Sequence, residues 1–218
     1  MTVTDDKASR RVVAIDGPAG TGKSTIAKEL AKTLGLPYLD TGAMFRAITF
    51  AALSRDVDPD DAERVASIAE TAEIVIDDDN VHVDGVDATV EIRGPEVTRA
   101  VSIVAANPKV RNELRAQQRE WVRKRGGGVV EGRDIGTVVF PDASLKVYLT
   151  ARPEVRAARR AKEVSDLDYA TVAADLARRD ALDQGRTHDP LMVADDAVVI
   201  DTSDMTIAEI VADLVQRL

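Results

Sequence analysis

Short apolar runs alternate with amphipathic stretches along the 218-residue chain. Residues 11–16, RVVAID, form an almost wholly apolar run. Such a run is typical of a strand that is buried on both faces, as the strands of a parallel sheet are. Similar runs predict four further strands, at 36–40, 128–132, 145–150 and 197–202.

Between these strands, apolar residues recur at spacings of three and four, which predicts helices. The helices are expected at 23–34, 43–53, 108–124, 153–163, 168–183 and 206–217. Asp58 before Pro59 and Asn107 before Pro108 are expected to cap helices that begin with proline, and Gly35 is expected to end the first helix. The alternation predicts a doubly wound α/β fold around a five-stranded parallel sheet.

Two regions interrupt this alternation. Residues 72–92 alternate with a period of two and carry turn residues at Asp78 to Asn80 and at Asp84-Gly85, which predicts an insert of antiparallel strands. Residues 152–186 are rich in arginine and helical in pattern. This second segment is either a mobile cover or a solvated pair of helices, and its charge pattern alone favours the pair.

Composition narrows the possible chemistry. The chain has no cysteine and two histidines, which excludes disulfides and thiolate catalysis and leaves too few ligands for structural zinc, whereas oxygen-bound Mg²⁺ is compatible. The net charge of −9 argues against nucleic acid as a partner. Because no segment resembles a signal peptide or a membrane span, we expect a cytoplasmic protein with no membrane partner.

The most specific motif joins the first strand to the first helix. Gly17, Gly22, Lys23 and Ser24 match the phosphate-binding pattern G-x-x-x-x-G-K-[ST] in the strand-to-helix context that the motif requires. Glycines let successive backbone N–H groups face a phosphate, and the helix N-terminus adds partial positive charge. ATP binding is therefore assigned to Gly17, Pro18, Ala19, Gly20, Thr21, Gly22, Lys23, Ser24 and Thr25.

Three residues at the end of this loop are expected to bind different groups of the nucleotide. Lys23 is expected to reach the β- and γ-phosphates, Ser24 to coordinate Mg²⁺ and Thr25 to support the α-phosphate. A GTPase is disfavoured, because no lysine lies in an N/T-K-x-D context. A mechanical ATPase normally has a longer apolar strand that ends in an acid, and the nearest candidate here is VVEGRD, with Glu131.

Five segments resemble, in order and spacing, the bacterial cytidylate kinases of the P-loop nucleoside monophosphate kinase family. They are IDGPAGTGKST, YLDTGAMFR, SIVAANPKVR, VVEGRDIGTVVFPDA and RRDALDQGR. The first is shared by all P-loop proteins, whereas the second, third and fourth together are specific to this family. The resemblance implies the strand order 2-3-1-4-5.

The resemblance also implies how one P-loop kinase domain, 1–218, is organised. The core is expected at about 11–71, 108–151 and 188–218, the monophosphate-binding insert at about 72–107 and a helical lid at about 152–187. Within the lid, Arg156 and Arg160 are expected to contact ATP.

An acceptor site is expected where the strands end. In LDTGAMFRAI, Thr41 and Arg46 follow a strand at the start of a helix, and open α/β sheets bind ligands in the crevice at that edge. Alternatively, Thr41 is only a helix cap and Arg46 a surface arginine. Such kinases often have tyrosine where this chain has Phe45, so the hydroxyl contact is absent here and ring stacking with CMP is the contact left.

Arg133 and Asp134 come directly after a buried strand and are expected at the same crevice, unless they form only a local ion pair. The resemblance gives Arg133 to the acceptor phosphate and Asp134 to the cytosine. It also gives Glu131 a contact with Mg²⁺ through water.

Arg179, Asp183 and Arg186 recur at helical spacing and so are expected to share a helical face, which also suits a simple salt-bridge ladder. The resemblance gives Arg179 and Asp183 to the sugar and phosphate of the acceptor, and Arg186 to the charge that bridges both nucleotides. The expected catalytic residues are Lys23, Arg133, Arg179 and Arg186.

Base selectivity needs a further set of residues. Cytosine differs from uracil by an amino donor at C4 and an unprotonated N3, so a selective site needs an acceptor, Asp134, and a donor, Arg111. Ser102 suits either role. Ser102 and Arg111 flank the helix break AANP, which predicts that both turn toward CMP; alternatively, Ser102 lies within a helix and Arg111 on an amphipathic surface.

The sequence thus predicts an enzyme that transfers a phosphoryl group from ATP to CMP or dCMP with Mg²⁺, and we expect a monomer. One alternative is a kinase for another small acceptor, such as UMP or a coenzyme precursor. The other is a P-loop module that binds ATP and a partner but turns over little.

Overall fold

The structure, a computed structural model, describes residues 11–77, 80–163 and 168–218. The predicted turn residues Asp78 and Asp79, and the part of the predicted lid at 164–167, lie outside the described residues. The described chain divides into two compact units. The first unit contains the described residues up to Leu39 and those from Val122 onward, and the second unit is Asp40–Trp121.

Strands and helices alternate much as the hydrophobic pattern predicts. The strands are β1 (Val12–Asp16), β2 (Tyr38–Asp40), β3 (Ile74–Asp77), β4 (Asn80–Val83), β5 (Val86–Asp87), β6 (Gly128–Gly132), β7 (Leu145–Thr150) and β8 (Val198–Asp201). The helices are α1 (Lys23–Leu34), α2 (Thr41–Ser54), α3 (Ala62–Thr71), α4 (Pro95–Ala106), α5 (Pro108–Arg125), α6 (Pro153–Glu163), α7 (Tyr169–Gln184) and α8 (Ile207–Gln216).

Five strands form a parallel sheet in the order β2-β6-β1-β7-β8. Numbered by the five strands of this sheet, the order is 2-3-1-4-5, which confirms the expected topology and the doubly wound class. The central strand β1 pairs with β6 and β7, and its last residue, Asp16, lies opposite Gly132 and Tyr148. All five residues of β1 are buried, as its continuous apolar run predicts.

Helices α1 and α8 pack on the sheet and complete the main core of the first unit. Side chains of α1, including Ile26 and Leu30, meet Ile210 and Leu214 of α8 in this core. Gly35 ends α1 in the left-handed conformation, at φ +62°, and its N–H donates to Lys32 O, which confirms its predicted role. The sheet therefore fixes the start of α1 directly after β1.

A smaller apolar cluster joins the two helices of the arginine-rich segment. Ala157 of α6 packs with Val172 and Leu176 of α7, and Ala19 of the glycine-rich loop lies against them. The predicted helices at 153–163 and 168–183 are thereby confirmed for the described residues, and both pack close to the loop that follows β1.

The second unit has its own sheet. Strands β3, β4 and β5 pair antiparallel in sequence order, as the period-two pattern predicts. Helix α2 packs against α3, α4 and β4. Because α2 and α4 pack together, this unit reaches well beyond the expected insert of 72–107.

Three sequence predictions need correction. Asp58 does not cap a helix: its carboxylate accepts from Asp60 N in a turn, and Asp61 caps α3 by accepting from Arg64 N at 3.1 Å. Helix α4 was absent from the predicted helices, although Pro95 at its first position is a start signal. Asn107 does precede a helix that begins at Pro108, as predicted.

The third correction concerns Arg186. Helix α7 ends at Gln184, so Arg186 lies beyond the helix and does not share a helical face with Arg179 and Asp183. The spacing of three residues still allows Arg186 to pair with Asp183, through a chain that has already left the helix.

Candidate active site

The glycine-rich loop is shaped by close contacts of its backbone. Gly17 has φ +146°, and a Cβ there would lie 2.1 Å from Leu149 O on β7. Gly20 has φ +77°, and a Cβ there would lie 3.0 Å from Arg156 O on α6. Any side chain would clash at the first position and be strained at both, so glycine is required for this path.

Helix α1 begins immediately after the loop, at Lys23. Its N-cap residue is Gly22, and no side chain among the described residues caps this end. The first N–H groups of a helix then remain suited to an anion, and the helix dipole adds favourable charge. Ser24 and Thr25 are exposed in the first turn. The structure therefore has the phosphate-binding geometry that the motif predicts.

Lys23 and Thr21 hold the loop from within. The Nζ of Lys23 donates to Pro18 O at 2.8 Å, and Thr21 Oγ1 donates to the same oxygen at 3.1 Å. Both residues are buried. The ammonium group is thus already at the inner side of the loop, close to where a phosphate would lie.

Two arginines of α6 bind the loop from outside. Arg156 Nη1 donates to Ala19 O at 3.2 Å and pairs with Asp180 of α7. Arg159 donates to Thr202 O at 2.7 Å and to Thr202 Oγ1 at 2.9 Å, and that hydroxyl donates to Thr21 O. The sequence predicts Arg156 and Arg160 near the donor, and it does not single out Arg159.

Arg133 and Arg186 converge on one buried carboxylate. Arg133 Nε donates to Asp183 Oδ2 at 2.8 Å, while Arg186 Nη2 pairs with Asp183 Oδ1. Burial alone would raise the pKa of Asp183, but the charges of Arg133 and Arg186 hold it below its ordinary value. Asp183 is therefore an ionised anchor for two guanidinium groups from different parts of the first unit.

Arg179 lies near Arg133 and Asp183, and its guanidinium group is less well stabilised than that of Arg133. Burial, together with the nearby positive charges of Arg133 and Arg160, lowers the pKa of Arg179 to about 10, although Asp183 and Asp180 counteract part of this shift. Its Nε is buried and has no hydrogen-bond partner among the described residues. A buried guanidinium that stays charged at neutral pH, with an unsatisfied donor, is well suited to bind an anion.

Glu131 lies near the end of β6, where an acid of the Walker B type would be expected. Its carboxylate is buried and accepts a hydrogen bond from Tyr38 Oη of β2 at 2.5 Å. The Nζ of Lys28 lies 5.5 Å from the centre of the Tyr38 ring. Tyr38, which sequence reasoning did not single out, thus orients this carboxylate from the neighbouring strand.

Asp134 is buried at the start of a short π-helical turn, Ile135–Val139. Its carbonyl oxygen accepts from Val138 N at 2.9 Å and from Val139 N at 3.1 Å. Asp16 faces the same turn from the end of β1, where its carboxylate accepts from Ile135 N and Gly136 N. Asp16 was not predicted as a functional residue.

The second unit carries the other predicted acceptor residues. Thr41 is the first residue of α2 and is buried, but the cap is the preceding residue, Asp40, which accepts from Ala43 N at 3.0 Å. Arg46 is not a free surface arginine: its Nη1 donates to Ile92 O at 2.8 Å and to Thr98 Oγ1 at 3.0 Å. Thr41 is therefore not the helix cap, and Arg46 is not simply a surface arginine.

Arg111 contacts both the Phe45 ring and the end of α4. The Arg111 guanidinium lies 5.5 Å from the centre of the Phe45 ring, and its Nη1 donates to Ala105 O at 3.1 Å in the last turn of α4. Arg111 and Ser102 are both buried, so Arg111 does not lie on an amphipathic surface. Ser102 does lie within a helix, one turn before Ala105.

A glycine-rich phosphate loop between the central strand and first helix of a 2-3-1-4-5 sheet defines a P-loop nucleotide-binding protein. A solved structure of an uncharacterized protein from Eubacterium ventriosum shares the fold, with a TM-score of 0.50 at 12% identity over 95% of this chain and 97% of that one. Among the described residues, no helix is both long and apolar enough to cross a membrane.

Sequence comparison defines the family. The family model described as cytidylate kinase matches residues 13–218. A cytidylate kinase of Mycolicibacterium paratuberculosis is 51% identical over 93% of this chain and 92% of its own length. One of Streptomyces griseus is 48% identical over 96% of this chain and 93% of its own length. The chain belongs to the cytidylate kinase family, and it is an enzyme of nucleoside monophosphate phosphorylation.

Proposed function

We propose that the chain transfers the γ-phosphoryl group of ATP to CMP or dCMP, which yields ADP and CDP or dCDP. The observation that carries this proposal is the family match over 13–218, which includes the P-loop, the residues around Asp183 and the residues around Arg111. The geometry supports it, because the first unit combines a phosphate-binding loop with buried arginines suited to a second anionic ligand.

ATP is assigned to the P-loop. The N–H groups of the loop and of the first turn of α1 bind its phosphates, and Lys23 offsets the charge on the transferring group. Arg156 supports this assignment, since it already contacts Ala19 O of the loop. Arg160 is assigned to the donor phosphates with it.

The residues of the first turn fit a Mg²⁺ ion. Mg²⁺ in nucleotide sites usually has few protein ligands and takes its other oxygens from phosphates and water. The Ser24 hydroxyl is exposed beside Lys23, and Glu131 offers a buried carboxylate. We assign Ser24 as the direct ligand and Glu131 as a ligand through water. When bound, Mg²⁺ neutralises charge on the phosphates and orients them.

CMP is assigned to the residues that the family resemblance supplies, which are Thr41, Phe45, Arg46, Ser102, Arg111, Arg133, Asp134, Arg179 and Asp183. The unsatisfied Nε of Arg179 supports a role at the acceptor phosphate, because an anion would satisfy this buried donor.

Catalysis on this account rests on positioning and charge. Phosphoryl transfer needs little covalent chemistry from the protein, and the acceptor phosphate oxygen is already a nucleophile, so no general base is required. Arg133, Arg179 and Arg186 with Lys23 stabilise the charge that moves between the two nucleotides. We assign 152–187 as a lid that excludes water and so limits ATP hydrolysis.

A coupled assay of ADP release with CMP, dCMP, UMP, AMP and GMP tests this proposal. We expect CMP and dCMP to give the highest kcat/KM by at least about tenfold, the size of effect that one mispaired base hydrogen bond produces. A preference for UMP or a coenzyme precursor would favour another small-acceptor kinase. ADP release that no monophosphate stimulates would favour a binding module.

Three further expectations depend on the sequence and stay predictions. The chain is proposed to act as a monomer, in the cytoplasm, and without nucleic acid or membrane partners. The acidic net charge of −9 supports the absence of a nucleic-acid partner.

A further inference from the structure

Asp16 is a buried carboxylate that the proposed mechanism does not use. It ends β1, directly before the P-loop, and is 5% exposed. Its Oδ1 accepts from Ile135 N at 2.9 Å and its Oδ2 accepts from Gly136 N at 2.7 Å. Each carboxylate oxygen therefore holds one of two consecutive N–H groups in a segment 119 residues away in the sequence.

These N–H groups open the π-helical turn Ile135–Val139. A negative side chain at that end satisfies two donors and complements the turn dipole, as an N-cap residue does for an ordinary helix. The difference is that this cap comes from another strand. Asp134, the residue that precedes the turn, has its own carbonyl committed to Val138 N and Val139 N.

The turn is also held from its other side. A Cβ at Gly136 would lie 3.2 Å from the Cγ and Cδ of Lys146, so the aliphatic part of Lys146 lies directly over Gly136. The Nζ of Lys146 is in turn fixed by Asp196 at 2.8 Å. Asp16 and Lys146 thus restrict the position of Gly136 from two neighbouring strands, β1 and β7.

We infer that Asp16 is a positioning residue for the acceptor base: by capping the turn Ile135–Val139 it fixes Asp134 in the orientation in which Asp134 reads cytosine. The inference rests on the proposed role of Asp134. It gives β1 a second function, since the strand that leads into the P-loop also sets the residue that selects the acceptor.

The charged and titratable groups around Asp16 allow a pH test. Lys23 of α1, Asp134 after β6 and Tyr148 of β7 lie close to it electrostatically. The pKa of Asp16 is raised to about 6, because burial and the charge of Asp134 raise it more than the two backbone N–H bonds and Lys23 lower it. Below this pH the carboxyl is protonated and holds the turn less well.

The main experiment measures KM for CMP and for ATP in Asp16→Asn. The amide has one acceptor oxygen for two N–H groups and presents an NH₂ to the second, so the turn loses its cap. We expect KM for CMP to rise at least about tenfold while KM for ATP changes less than about twofold. Asp61→Asn, which alters an N-cap carboxylate of α3, is the control and should change neither.

Asp134→Ala and the double variant separate this inference from the proposed function. If Asp16 acts through Asp134, the double variant is no worse than Asp134→Ala alone. If Asp134→Ala leaves KM for CMP unchanged, the proposed role of Asp134 is wrong. If Asp134→Ala raises it and Asp16→Asn does not, or if Asp16→Asn raises KM for ATP equally, only the positioning role is wrong.

The pH dependence of KM for CMP distinguishes a positioning role of Asp16 from a general loss of structure in the variant. The ratio of KM for CMP between Asp16→Asn and the wild type should fall from about tenfold at pH 7.5 toward about twofold at pH 5, because titration of CMP itself affects both proteins alike. If Asp16→Asn does not fold, Asp16→Glu retains the charge and should still raise KM for CMP selectively. A ratio that is constant across this range contradicts the inference.

Discussion

Arg133 and Asp183 are 50 residues apart in the sequence and form a partly buried ion pair, with Nε to Oδ2 at 2.8 Å. The second oxygen of Asp183 is paired with Arg186. One carboxylate thus sets the position of two guanidinium groups, while Arg179 next to it keeps an unsatisfied donor. An anionic ligand would satisfy this donor, in addition to the charges of Asp183, Asp180 and Glu131 that already act on these arginines.

Asp183→Asn should damage both stability and acceptor use. Removing the carboxylate takes away the ion-pair partner that Arg133 and Arg186 share, which is expected to destabilise the protein by about 3 kcal/mol. We also expect kcat/KM for CMP to fall at least about 100-fold. Urea unfolding and steady-state kinetics measure the two effects. Asp213→Asn, which breaks an exposed pair with Arg217, should change stability by less than about 1 kcal/mol and leave kinetics unaltered.

Lys23→Ala should nearly abolish turnover and leave the fold intact. The side chain removed would otherwise offset charge on the transferring phosphoryl group, a contribution of about 100-fold to 1,000-fold in kcat. Within the loop Lys23 donates to Pro18 O, and Thr21 donates to the same oxygen, so this carbonyl keeps a hydrogen bond in the variant. A loss of kcat below tenfold at saturating ATP would count against this role.

Ser102→Ala combined with Arg111→Met should weaken base selection. Mispairing one buried base hydrogen bond costs about 1 to 3 kcal/mol, so we expect the ratio of kcat/KM for CMP over UMP to fall at least about tenfold. ATP affinity should stay near that of the wild type. Arg115→Met, one turn further along α5, is the matched control. A folded double variant with an unchanged ratio would show that these residues do not read the base.

The arginine-rich segment should become protected from protease only when both nucleotides are bound. Its arginines are assigned to the phosphates of both donor and acceptor, so closure of the segment over the site is expected to require both nucleotides. Limited proteolysis with ATP analogue alone, CMP alone and the two together measures this. Equal cleavage within 152–187 in the unliganded and doubly liganded protein would contradict the lid assignment.

Local patterns predicted the sheet strands and most helices well, because burial on both faces and helical spacing are properties of short segments. β1, β6 and β7 appear nearly at their predicted bounds. The miss at Asp58 has a local cause: an aspartate before proline suits both a helix cap and a turn, and here it closes the turn while Asp61 caps α3. Helix α4 was missed although Gly94-Pro95 marks its start.

The site was less predictable than the fold. Outside the P-loop, the contacts of its residues depend on which strands lie next to each other in the sheet, and a local sequence pattern does not show this. The P-loop is a continuous motif and was read directly. Asp16 and Tyr38 gain their roles from β6, which lies between β1 and β2 although it is far along the chain. Arg159 reaches Thr202, a contact that depends on the rotation of α6 and that spacing alone does not give.

The most direct test of the account follows the label from ATP that carries ³²P in its γ-phosphate. With CMP present, the account predicts that the label appears in CDP, at the β-phosphate, with little in inorganic phosphate. Without CMP, the label should remain in ATP, because no acceptor is bound and water is a poor substitute. Label that appears mainly in inorganic phosphate, at a rate that CMP does not change, would contradict the claim that this chain is a CMP kinase.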